Sequence, residues 1–62
     1  MTVNSIVSRS QYEERLADTS FTELENLTKR DNLKSEKYTY YLVKYISPGL
    51  HISQIIVAVW ED

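Results

Sequence analysis

Hydrophobic and polar positions are patterned in two different ways along this chain, and the change falls near Lys37. Before it, apolar residues are sparse, three or four positions apart, and set among charged ones. After it they run together. The 25 residues from Tyr38 to Asp62 hold 15 of the 26 hydrophobic residues, four of the five tyrosines, and the only Trp, Pro, Gly and His.

The first half predicts helix. Met1 to Val7 reads as a short strand or a loose arm, with Val3, Ile6 and Val7 as its apolar residues. Ser10-Gln11-Tyr12-Glu13 has the spacing of a capping box, in which hydroxyl and carboxylate satisfy free backbone amides. Tyr12 and Leu16 then share a face, predicting a short helix to about Asp18. A second box, Ser20-Phe21-Thr22-Glu23, restarts the helix. Phe21, Leu24 and Leu27 form its apolar stripe, and Glu25 and Lys29 an outer i,i+4 ion pair. Arg30 suits the negative helix end and Asn32 a left-handed cap, so this helix spans Phe21 to about Asp31.

The second half predicts a hairpin. Tyr38 to Ile46 is rich in Tyr, Thr, Val and Ile, which fit a pleated surface, and strand is the preferred reading. Its apolar residues also fit a period of 3.6, so a helix followed by a single C-terminal strand is the alternative. Ser47-Pro48-Gly49-Leu50 has the signature of a type II turn, with positive φ at Gly49. The connection is placed at Ser47 to His51, because a two-residue type II turn twists the wrong way for a hairpin. Ile52 to Trp60 is β-branched, lacks internal charge, and is a strand. Glu61 and Asp62 read as gatekeepers against edge pairing.

Two strands here have two apolar faces. One carries Tyr41, Val43, Tyr45, Ile55, Val57 and Val59. The other carries Tyr38, Tyr40, Leu42, Ile46, Ile52, Ile56, Ala58 and Trp60, interrupted only by Lys44 and Gln54. A short helical pair covers one face. Sheets with one wet face normally alternate apolar and polar residues, and this one does not. The second face is therefore expected to meet a partner, with Tyr38, Tyr40, Lys44, Gln54, Ile56 and Trp60 as the candidate partner-binding residues. The plainer reading lays the tyrosines flat on an exposed sheet with their hydroxyls in water.

Size sharpens that expectation. At 62 residues there is one small α+β domain, and a core of this size is marginal without disulfides, metal or association. Cysteine is absent, which removes disulfides and thiolate ligands together, and a lone His makes a zinc site a poor fit. Association is left, as a homo-oligomer or with a protein partner. No basic-then-apolar leader and no membrane-length apolar run are seen, so membrane is excluded and the cytoplasm follows by elimination.

Candidate chemistry is thin. His51 has no nucleophile or orienting acid at a recognisable spacing, and the single Gly rules out a glycine-rich phosphate loop. The acids Glu13, Glu14, Glu23 and Glu25 fit solvated helix faces. No cofactor, metal or catalytic residue is assigned. Lys29, Arg30, Lys34 and Lys37 lie beside Tyr38 and Tyr40, the mixture that holds single-stranded nucleic acid through phosphate contacts and stacking. Asp31, Glu36 and a net charge of −2 weaken that footprint.

The stretch Tyr45-Ile46-Ser47-Pro48-Gly49-Leu50-His51-Ile52-Ser53-Gln54-Ile55 resembles a joint of small α/β modules, a helix ending in Tyr, a Pro/Gly turn, then a strand. Small phage-encoded inhibitors of bacterial RNA polymerase carry a similar joint. The resemblance covers about a dozen of the 62 residues and implies a helical Tyr38–Ile46 and a phage-type inhibitor. The expectation from the residues themselves is an α+β domain, with one or two N-terminal helices packed on a C-terminal antiparallel hairpin. Its expected function is non-enzymatic protein binding through the aromatic sheet face, in the manner of a small phage- or plasmid-type inhibitor or regulator. Nucleic-acid binding through the basic cluster is the alternative.

Overall fold

A computed structural model of the chain describes residues 2–29 and 37–62. Within them lie one α-helix and a four-stranded mixed sheet, an α+β arrangement. In chain order the elements are β1 (Ser5–Ser8), α1 (Arg9–Leu16), β2 (Phe21–Asn26), a 3-10 turn (Leu27–Lys29), β3 (Tyr38–Ile46) and β4 (Ile52–Trp60). The sheet order is β1-β4-β3-β2. β1 runs parallel to β4, while β3 is antiparallel to both β4 and β2. The hairpin is thus the centre of the sheet, and the N-terminal half supplies both edges.

Strand, not helix, forms over Tyr38–Ile46. Its nine residues pair one for one with β4, from Tyr38 opposite Trp60 to Ile46 opposite Ile52. The turn between them is not type II. Leu50 N–H donates to Ser47 O at 2.8 Å, but Gly49 has no positive φ and Leu50 has φ of 62°. Ser47 N–H closes the hairpin on His51 O at 2.9 Å. This is a three-residue loop whose last position is left-handed, the geometry that matches strand twist. A Cβ at Gly49 would stand 3.1 Å from the exposed His51 ring, a contact that a small shift of that ring relieves.

The helix Phe21–Asp31 does not form. Phe21–Asn26 is strand β2, paired with Tyr45 through Tyr41, and no i,i+4 helical geometry joins Glu25 to Lys29. The cause is tertiary: β3 has a second backbone edge, and β2 satisfies it where a helix would leave its amides and carbonyls unpaired. A register shift between Glu23 and Glu25 makes Leu24 a bulge, and that irregularity together with the glutamates protects the outer edge. The proposed caps at Arg30 and Asn32 lie outside the described residues.

One helix does form, two residues earlier than the Ser10 box implies. Ser8 is its cap: its Oγ accepts from Gln11 N–H at 3.2 Å, while the Gln11 side chain accepts from Ser8 N–H at 3.1 Å. Tyr12 and Leu16 face the sheet as their spacing predicts. Val7, Tyr12, Tyr41, Val43, Val57 and Val59 form the core, with Leu16, Phe21 and Ile55 at its margin. Tyr12 stacks on Tyr41 with ring centroids 4.7 Å apart, and Phe21 meets Tyr45 at 4.9 Å.

Glu61 and Asp62 are not gatekeepers, because β1 covers the edge of β4 at their end, from Val57 to Trp60. Glu61 pairs with Arg9 at 2.8 Å, and Asp62 accepts hydrogen bonds from the Ser10 hydroxyl and amide. Arg9 also donates to the Tyr41 hydroxyl at 3.0 Å and lies over its ring. Those bonds hold Arg9 firmly protonated. The C-terminus therefore fastens the start of α1 to the sheet.

Candidate partner-binding face

Pairing register decides which side chains share a face, since successive residues point to opposite sides. α1 packs on the side of Tyr41, Val43, Val57 and Val59. On the other side stand Tyr38 with Trp60, Tyr40 with Ala58, Leu42 with Ile56, Lys44 with Gln54, and Ile46 with Ile52. All six candidate residues, Tyr38, Tyr40, Lys44, Gln54, Ile56 and Trp60, fall on this side, which α1 does not cover. β1 adds Ile6 beside Ala58, and β2 adds Thr22 beside Lys44 and Glu25 beside Leu42.

Exposure runs unevenly over it. Ile52 is 65% exposed, Ile6 63% and Trp60 43%, whereas Tyr38, Tyr40, Leu42, Ile46 and Ile56 are half-buried by their neighbours. Ala58 is only 2% exposed, and its neighbours on the flanking strands are the larger Tyr40 and Ile6. The Tyr38 and Tyr40 rings tilt against each other at 6.3 Å. An aromatic group therefore occupies one end of the face, aliphatic residues the middle and far end, and Lys44 and Gln54 cross it as one polar row.

Ile6 and the two β2 residues were not among the candidates. Ile6 reaches the face only through parallel pairing of β1 with β4, for which no local signal exists. Thr22 and Glu25 carried a helical spacing that hid their strand.

The basic cluster does not assemble into a described site. Lys29 and Lys37 are exposed, and Arg30 and Lys34 lie outside the described residues. His51 is exposed at the hairpin end. An open cleft of about 570 Å³ lies between the turn Asp18–Phe21 and the hairpin end from Tyr45 to Leu50. Its carboxylate, Asp18, accepts both the Ser20 amide at 2.9 Å and the Ser20 hydroxyl at 2.7 Å, which holds it below its ordinary pKa. Among the described residues no group of three His, Cys, Asp or Glu stands together to hold a metal ion, and no helix is long and apolar enough to cross a membrane.

Fold and face define a class: a small α+β protein with a helix on one side of its sheet and an aromatic, apolar surface on the other. No protein-family model, curated protein or solved structure matches the chain. The joint from Tyr45 to Ile55 departs from that of the phage inhibitors in its first element, which is a strand.

Proposed function

We propose that this protein is a non-enzymatic protein-binding module that associates through the sheet face opposite α1, as a small inhibitor or regulator would. One observation carries the reading: β1, β3 and β4 converge to align Ile6, Tyr38, Tyr40, Leu42, Ile56 and Trp60 on a side that α1 does not cover. Aromatic residues in a largely apolar patch are what protein interfaces select, because they bury much area for few frozen torsions.

The test compares capture by immobilised wild type and a Tyr40→Ser/Trp60→Ser variant, both shown folded by circular dichroism, from lysate of the cells that make the protein. Capture lost with the face variant supports the reading, and equal capture by both refutes it. Repeating the wash over rising salt separates the alternative. Binding driven by Lys29, Lys37 and their basic neighbours on nucleic-acid phosphates weakens steeply with salt, and binding through an apolar face does not.

A further inference from the structure

We infer that the occupant of this face is a second copy of the same chain, docked face to face about a two-fold axis that runs along the strands between β3 and β4. The inference rests on the reading of the face as an interface and names its partner. Extents of 35 × 23 × 15 Å make the molecule a slab whose broad side is about 800 Å². That is about the area each partner contributes to a standard stable interface. A chain of 62 residues without cysteine also gains more from doubling its core than a larger protein would.

The pattern on the face selects both the partner and the axis. With strand order β1-β4-β3-β2, the line between β3 and β4 halves the sheet. Rotation about it lays β3 of one protomer over β4 of its partner. Each cross-strand pair then meets its own exchanged copy, with Tyr40 over Ala58, Leu42 over Ile56, and Lys44 over Gln54. Ala58 is the smallest side chain of the face and Tyr40 among the largest, so exchange sets each large side chain over a small one. Like charges stay apart, because Lys44 meets an amide. A two-fold axis across the strands, through the Leu42–Ile56 row, sets Lys44 on Tyr40 and Gln54 on Ala58, so the match of large side chains with small ones is lost. The favoured docking is an aligned sandwich, the usual way two twisted sheets pack.

Sedimentation equilibrium over the micromolar range tests the inference, with far-UV dichroism confirming each fold. Wild type is expected to be a concentration-dependent dimer. Tyr40→Ala removes the large side chain set over the partner's Ala58 and weakens dimerisation by on the order of tenfold or more. Gln54 is exposed, so Gln54→Lys leaves the fold intact yet opposes the partner's Lys44, and it weakens dimerisation comparably. Adding Lys44→Gln to Gln54→Lys restores it, because the pair is merely exchanged. Leu50→Ser, at the hairpin tip, changes nothing. A wild type that stays monomeric, or a dimer indifferent to Tyr40→Ala and Gln54→Lys, overturns the inference. In either case the capture experiment reports separately on the broader reading: capture still lost with Tyr40→Ser/Trp60→Ser means the face binds a different protein.

Discussion

Removing one hydroxyl, in Tyr12→Phe, should change stability by an amount that depends on pH in a calculable way. Tyr12 is 1% exposed, and its hydroxyl donates to Glu23 Oε1 at 2.9 Å. A hydrogen bond to a charged group contributes about 1.5–3 kcal/mol. Glu23 is exposed and regains water when the donor is lost, so the lower end applies, about 1.5 kcal/mol at neutral pH. Burial first, and then the Glu23 hydrogen bond, push the Tyr12 phenol well above its ordinary value of 10.0. The sign follows from proton counting. Below about pH 10 folded and unfolded chains both hold this proton, and the native interaction contributes in full. Above it the unfolded state loses the proton while the folded state keeps it, so stability falls with rising pH until the folded phenol also ionises. By about pH 11 the loss from this site is ~1.4 kcal/mol, which nearly cancels the advantage of Tyr over Phe. The other four tyrosines are common to both proteins and drop out of the difference. Urea unfolding followed by far-UV dichroism, at several pH values from neutral to about 11, gives that difference. A wild-type advantage that is constant across the range, or absent at neutral pH, refutes the reasoning.

Val57 is fully buried between Tyr41 and β1, so Val57→Ala should cost about 1–3 kcal/mol in urea melts, with little collapse around the lost methyls. A loss within error would remove it from the core. Ser8→Ala should cost about 1 kcal/mol by uncapping α1. Ser10→Ala releases only a link to Asp62 at the exposed C-terminus and should cost less, so the reverse order in the same melts would move the cap to Ser10. Leu50→Gly should stabilise the hairpin by about 1 kcal/mol, since a leucine at φ of 62° bears a steric penalty that glycine does not. A lower thermal midpoint for that variant would show that the Leu50 side chain contributes more than its backbone costs.

The sequence by itself determined the bounds of the two hairpin segments, while a period of 3.6 left Tyr38–Ile46 open to helix. Tyr38–Ile46 and Ile52–Trp60 begin and end where composition and the Pro48-Gly49 break place them, and alternation sorts Tyr41, Val43, Val57 and Val59 from Tyr40, Leu42, Ile56 and Trp60. These are short-range properties, since side-chain direction in a strand follows from the pleat alone. Tyr12 and Leu16 were legible as a helical pair facing the core, since residues four apart share one side of a helix. Only the tertiary structure decided what flanks the hairpin. Phe21, Leu24 and Leu27 fit a helical stripe, and Glu and Leu favour helix, yet β3 had an unpaired edge and Phe21–Asn26 became the strand that fills it. Ile6 joined the candidate face because Ser5–Ser8 found β4 some fifty residues away, a pairing that no local pattern encodes. Glu61 and Asp62 became a clasp on Arg9 and Ser10, rather than charges at a free edge, once β1 had covered β4. Local propensity sets the conformation a segment prefers alone. Backbone groups left open by the rest of the sheet are strong enough to override that preference, and they are invisible until the sheet is assembled.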